Sequence, residues 1–207
     1  MPLLNSTGIF LPNSDTRPFN LITNYIYFYH THTFFVIPVY PDSVQDSQSI
    51  TFNSTPLLSR SAPIYSFSNA GPRSVQFSFN LHRDLMQQTN YKVSNVNLDM
   101  GDDYVDVLVR SLQAIALPRY DSSAKMVDPP VVALRLGNEI YCKGVVAGNI
   151  GITYNLPILE DNKYSQVSIS FGLNEIDPTD ADIVMRTGSF RGLNTSLERS
   201  FWQNTNG

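Results

Sequence analysis

The chain has 207 residues, 42% hydrophobic and 15% charged, enough apolar material for one domain with a proper core. A net charge of −4 argues against a basic nucleic-acid-binding surface, since phosphate contacts need clustered Lys and Arg. The single cysteine, Cys142, excludes an intramolecular disulfide and a thiolate metal cluster, and fits assembly in a reducing cytosol.

Residues 1–24 carry three Pro and scattered Leu3, Leu4, Ile9, Phe10 and Leu11 with no usable period. They read as an N-terminal arm, either a frayed terminus or an arm that docks on a neighbouring subunit. Neither a signal peptide nor a run of about 20 apolar residues is present, so no membrane partner is expected. The N-x-S/T triplets at Asn5, Asn53 and Asn194 are then chance occurrences.

The β domain is expected over residues 25–187. Tyr25 to Tyr40, YIYFYHTHTFFVIPVY, predicts one long strand or a tight pair of strands that must be covered. His30 and His32 would share a face of a continuous strand, but no further metal ligand stands near them. Pro41 to Asn53 predicts a turn and a short strand, and Asn69-Ala70-Gly71-Pro72 predicts another turn. After it, Val75, Phe77, Phe79 and Leu81 alternate with Ser74, Gln76, Ser78 and Asn80, the mark of a half-buried strand.

A helix is predicted near 102–117, capped by Asp102 or Asp103, with Tyr104, Val107, Leu108, Leu112 and Ile115 on one face. Arg110 and Gln113 fall on its wet side, and Pro118 stops it. Tyr120 to Pro130 reads as a polar loop. Val131 to Pro178 reads as an antiparallel meander: a short strand, a turn at Gly137-Asn138, a strand over Glu139 to Lys143, and a long strand over Gly144 to Leu156. Its last strand places Val167, Ile169, Phe171 and Leu173 on one face, and Gln166, Ser168, Ser170 and Asn174 on the other. The two alternating strands thus share one neutral, short-chained polar face.

Residues 188–207 form a polar C-terminal tail, either disordered or a partner anchor through Phe201 and Trp202. No nucleophile elbow, metalloprotease helix or phosphate loop is present. Gly144, Gly148 and Gly151 fit strand bends or close backbone contacts, and His82 with Asp84 has no nucleophile to serve. Asp99, Asp102 and Asp103 lack the spacing of a Ca²⁺ loop. The chain therefore reads as a non-enzyme without a catalytic site, metal or cofactor.

The segments PDSVQDS, SRSAPIYSFSNAGPRSVQFSFNLHRDL, a helix, and then PPVVALRLGNEIYCKGVVAGNIGITYNLPILEDNKYSQVSISFGLNEIDP carry a family pattern. Arg60, Pro63, Tyr65, Arg73, His82, Pro129-Pro130, Gly137, Gly144-Val145-Val146, Pro157, Glu175 and Pro178 stand at its marked places. Over roughly residues 40–180 the chain resembles the tail-tube-like baseplate-hub and tube-initiator proteins of contractile-tailed bacteriophages and related injection systems. The resemblance implies a mainly β fold, an antiparallel β-sandwich or half-open barrel with one flanking α-helix and extended terminal arms.

It also implies a homo-oligomeric ring, usually of six copies, within a virion tail assembled in the host cytoplasm. Other tail or baseplate proteins would be its partners, with DNA only as passing cargo. Gln76, Ser78, Asn80, Gln166, Ser168 and Ser170 would then face the lumen, or meet solvent outside the sheet. Leu3, Leu4, Ile9, Phe10, Phe201 and Trp202 would contact subunits or partners. The alternative is a carbohydrate- or receptor-binding β-sandwich module stacking Tyr25, Tyr27, Phe28 or Trp202 on sugar rings.

Overall fold

A computed structural model describes residues 24–58, 61–87, 103–117, 119–120, 127–128, 130–177, 179–193, 195–196 and 198. The strands are β1 (Asn24–Phe28), β2 (Thr33–Val36), β3 (Ser43–Thr55), β4 (Ile64–His82), β5 (Arg119–Tyr120), β6 (Val127–Asp128), β7 (Val131–Leu136), β8 (Ile140–Ile158) and β9 (Tyr164–Glu175). The helices are α1 (Arg83–Gln87), α2 (Tyr104–Ile115) and α3 (Ala181–Thr187). The fold is mainly β. Seven strands make one antiparallel sheet in the order β2-β1-β7-β8-β9-β4-β3, which does not close on itself.

Two kinds of strand burial divide this sheet. Helix α2 covers one face, with Tyr104, Val105, Leu108, Val109, Leu112 and Ile115 buried against Val75, Phe77, Phe79, Val167, Ile169 and Leu173. The sequence expected a stripe of five residues. The actual stripe adds Val105 and Val109, while Val107 is only partly buried. Asp103 caps α2 by accepting the Asp106 amide at 2.8 Å, and Arg110 and Gln113 are exposed. At the β1–β2–β7 end a second cluster of Tyr25, Tyr27, Phe34, Val36, Ala133 and Tyr141 is buried on the opposite face. Strands covered on both sides read as unbroken apolar runs, and strands covered on one side alternate.

Tyr25 to Tyr40 takes the paired form, β1 against β2, with Tyr25 opposite Val36 and Phe28 opposite Thr33. His30 and His32 lie in the turn between them, so they share no strand face; the His32 ring nitrogen sits 3.1 Å from the Tyr27 hydroxyl. Asn69 to Pro72 is not a turn. It lies inside the 19-residue β4, where register shifts between Gln48 and Ile50 and between Thr51 and Phe52. The same Gly-Pro chemistry that favours a turn also suits a bulge, where a residue leaves the ladder.

β3 runs for 13 residues rather than being short, and the expected strands over Glu139–Lys143 and Gly144–Leu156 are one continuous β8. The stretch read as a polar loop contains the small β5–β6 pair. Cys142 is fully buried, and burial pushes its thiol up to about 12, so it stays protonated and inert.

The C-terminal segment was expected to float or to anchor a partner. Its described part instead packs on the chain's own sheet. Ser189 accepts the Tyr141 amide at 3.1 Å, Phe190 and Leu193 pack on the second cluster, and Arg191 grips Glu175 at 2.7 Å. Glu198 binds Arg135 at 2.6 Å and accepts the Tyr25 hydroxyl at 2.5 Å.

Gly144 marks where β8 crosses β9 closely. A methyl group added there would fall well inside van der Waals contact with the Asn174 carbonyl oxygen, and both groups are backbone. Gly144→Ala is therefore expected to destabilise by at least about 2 kcal/mol, at the upper part of the overpacking range. A urea midpoint unchanged from the parent would contradict this contact.

Candidate functional site: an uncharged face across four strands

β4 and β9 pair directly, and residues opposite one another in an antiparallel ladder share a face. Ser78 lies opposite Ser170, Asn80 opposite Ser168, His82 opposite Gln166, and Gln76 opposite Gly172. The six residues read from the sequence as a neutral face therefore form one continuous surface. It lies on the side of the sheet away from α2, because their sequence neighbours Phe77, Phe79, Ile169 and Phe171 fill the core.

The register extends this surface over two further strands. On β3, Ser43, Gln45 and Ser47 lie opposite Ser78, Gln76 and Ser74. On β8, Gly151, Thr153 and Asn155 lie opposite Ser170, Ser168 and Gln166. None of these side chains carries a fixed charge, and His82 is the one titratable group among them. The sequence reading missed the β3 and β8 contributions. SVQDSQS in β3 alternates with the right period, but its strand length was underestimated.

Hydrogen bonds run across the face and hold its side chains flat. Asn155 donates to Ser168 at 2.9 Å, Ser168 donates to Asn80, and Asn80 donates to Asp42 at the margin. The His82 and Gln166 side chains meet at 2.9 Å, so His82 is engaged with Gln166 and not with Asp84. Such a face offers donors and acceptors to water but no cationic grip on a phosphate.

A bulge interrupts the face. Ala147 pairs with Gly172 and Gly151 with Ser170, so three residues of β8 stand opposite Phe171 alone, and Gly148 adopts φ +73°. The detour leaves a cavity of about 410 Å³ lined by Gln45, Gln76, Ser78, Asn149, Ser170 and Gly172. It is an uncharged, open recess. Among the described residues no group of three or more His, Cys, Asp and Glu could hold a metal ion, and no helix is long and apolar enough to cross a membrane.

Besides the Arg135–Glu198 pair, two charged clusters at the margins brace the sheet. Arg73, buried on β4, donates to Asp46 at 2.7 and 2.8 Å, to the Tyr141 carbonyl at 3.0 Å and to the Ser189 carbonyl at 3.0 Å. Glu175 lies 3.7 Å from Arg73 and is bound by Arg191. At the far end Arg83 pairs with Asp103 and with Asp106 at 2.9 Å, and Lys163 reaches Asp106 at 2.6 Å.

The Arg73 hydrogen bonds hold the Asp46 carboxyl below the usual carboxylate range, against burial. Burial raises Asp106, but the Lys163 and Arg83 hydrogen bonds outweigh it and leave that carboxyl low as well. Carboxyls depressed in the folded state add stability that is complete above their unfolded value of about 3.9 and is lost as pH falls through the lower folded value. The urea midpoint should therefore stay level from about pH 7 to 5 and fall below about pH 4. Asp46→Asn should shrink that fall. An acid-insensitive midpoint would refute the assignment.

Tyr25, Tyr27 and Phe28 are buried within the body and cannot stack on a sugar ring. Leu3, Leu4, Ile9, Phe10, Phe201 and Trp202 lie outside the described residues. Comparison of the chain with protein-family models and with curated proteins finds no match.

Proposed function

We propose that the protein is a structural component of a phage tail, a ring-forming tube-initiator or baseplate-hub protein whose uncharged sheet face lines a channel for DNA. One observation carries the reading: Gln76, Ser78, Asn80, Gln166, Ser168 and Ser170 lie on one surface that continues over β3 and β8 without a fixed charge. A polyanion passing such a wall meets water-like hydrogen-bonding groups and nothing that holds it. On an open sheet face a soluble protein more often mixes both signs of charge.

The free edge of the sheet supports an assembly. β3 is exposed over all 13 residues and contains no Lys, Arg or Pro. Its only charge, Asp46, is tied to Arg73. Soluble proteins ordinarily protect a long edge with such residues, and apart from the register shifts near Gln48 and Thr51 this edge lacks them, which leaves it open to a strand partner. In this reading the partner is the next copy, and the sheets of a hexameric ring join side by side. The ring belongs to a virion tail and is built in the host cytoplasm, with other tail proteins above and below it.

Placing a Lys on the edge, as in Gln48→Lys with Thr51→Lys, should leave the monomer folded and prevent ring closure. Native mass spectrometry and electron microscopy of the purified chain and of particles containing it test both points. A chain that is monomeric in both settings sinks the proposal. So do edge variants that assemble as the parent does.

A further inference from the structure

We propose that the free end of the β3–β4 pair is a membrane-spanning element: in the closed ring these arms join into a β-barrel that crosses a lipid bilayer, with Phe52 and Phe67 toward lipid. The inference rests on the ring reading above and adds the medium that the outer surface of the arms meets.

The arm stands clear of the body. β9 pairs with β4 only from Ser74 to His82, so β4 from Ile64 to Arg73 has β3 as its one strand neighbour among the described residues. β3 is exposed throughout, and β4 is exposed from Ile64 to Ala70, so both faces of the arm meet solvent. A two-stranded ribbon is marginal by itself and needs a surface to lie on or a medium to enter.

Its two faces differ in kind. Phe52 lies opposite Phe67 and Ser54 opposite Tyr65, which puts both phenylalanines and the tyrosine on one face. Both register shifts place their extra residue on β4, so the alternation of β3 is unbroken and Ile50 joins them. Ile50, Phe52, Tyr65 and Phe67 are each more than half exposed, and the Phe52 and Phe67 ring centroids lie 5.8 Å apart. On the other face Thr51, Asn53 and Thr55 continue the period of Ser43, Gln45 and Ser47. The uncharged face of the body therefore runs on along the arm. The apolar face lies on the side of the sheet that α2 covers, which is the outer side when the uncharged face lines the channel.

Three features commit the occupant to lipid. Neither strand carries a charge between Asp46 and Arg73, and the one charged residue between them in sequence, Arg60, belongs to the connection. Protein contacts accept charge at their rims, whereas hydrocarbon does not. The overhang of β4 is about ten residues, the length of a transmembrane β-strand, and at the usual barrel tilt it spans about 25 Å, the height of the apolar band. Apolar-out and polar-in alternation is the pattern such strands carry. The expectation of no membrane partner rests on the absence of a long apolar run, which bears on helices and not on strands.

Ring closure is the condition for entry. In a lone copy the outer edge of β3 and the freed edge of β4 are both open, and open edges do not enter hydrocarbon. Side by side, β3 of one copy pairs with the β4 overhang of the next, which leaves no edge. The chain before assembly therefore stays in water, and the ring inserts.

Phosphatidylcholine vesicles, which carry no net charge, test this with a trapped self-quenching dye. Rings recovered from particles, or closed by concentrating the chain, are mixed with them; flotation reads binding and dye release reads a pore. Parent rings should float with the vesicles and release the dye, and the chain before ring closure should do neither. Phe52→Gln with Phe67→Gln should still close rings by electron microscopy but cut release by about tenfold or more. Phe52→Leu with Phe67→Leu keeps the face apolar and should retain release. Asn53→Gln with Ser66→Gln, on the opposite face, should leave it unchanged. Parent rings that leave the vesicles sealed would overturn the proposal while the ring reading stands. So would Gln pairs on the two faces that reduce release alike, or association confined to vesicles containing anionic phosphatidylglycerol, which marks adsorption at the surface. If the Phe52 and Phe67 glutamine variant fails to close rings where the opposite-face variant closes them, the apolar face belongs to contact between copies and the proposal is also overturned. Absence of parent rings removes both readings.

Discussion

Replacing Arg73 by Met is expected to lower the unfolding free energy by about 3–5 kcal/mol, the range for removing one partner of a buried ion pair. The Arg73 side chain is 2% exposed and its guanidinium satisfies four groups on four parts of the chain. These are Asp46 on β3, the Tyr141 carbonyl on β8, the Ser189 carbonyl in the C-terminal segment and, at 3.7 Å, Glu175 on β9. Met fills a similar volume but donates nothing, so the loss comes from orphaned acceptors and not from a cavity. Glu175 keeps Arg191, and Asp46 keeps the Ser189 hydroxyl at 3.0 Å. Those surviving contacts place the expected value toward the lower part of the range.

Arg73→Lys supplies one charged donor without the fork, so it should recover less than half of the loss. Urea denaturation of the three proteins measures the differences. Hydrogen exchange at Tyr141, whose amide bonds to the Ser189 carbonyl, reports separately on whether the C-terminal segment has lifted. A loss below about 1 kcal/mol, the scale of an exposed pair, would show that this cluster does not fasten the sheet.

That cluster also explains where sequence reading stopped. Alternation in β4 and β9 was legible because each strand has one wet and one dry face, and α2 was legible through its cap and apolar stripe. The docking of Ser189 to Leu193 was not. Its fixings are Arg191, Glu198, a main-chain carbonyl and the isolated apolar pair Phe190 and Leu193, which leave no apolar period, and their partners stand far away in sequence. Asn69 to Pro72 misled for a related reason. Gly and Pro report that the chain leaves regular geometry there, but only the neighbouring strand decides between a reversal and a bulge. Of the candidate site, the strands β4 and β9 could be read one by one. Their register, which makes two polar stripes into one surface, depends on pairing across the fold.

The uncharged face makes the second large prediction. Ser78→Lys with Ser168→Lys should convert a surface indifferent to DNA into one that holds it. The two positions lie on adjacent strands but not opposite one another, since Ser78 faces Ser170 and Ser168 faces Asn80, so the added charges avoid direct cross-strand repulsion. Each lysine that reaches a phosphate should steepen the dependence of log affinity on log salt by about 0.9, giving about 1.8 per copy if both engage. In a closed ring the contacts act together on one duplex, and transit should slow as salt is lowered.

Fluorescence anisotropy with a short duplex between 50 and 200 mM salt measures the slope, and genome release from particles built with the variant measures transit. Gln113→Lys with Ala114→Lys provides the control. Both positions are exposed on α2, which covers the opposite face of the sheet, so the variant matches the change in net charge without touching the uncharged face. If the parent already binds duplex with a comparable slope, its face is not indifferent and the channel reading fails. If both lysine pairs slow release equally, net charge is responsible and the face has no special position. A slowing confined to Ser78 and Ser168 is the result that a channel wall requires.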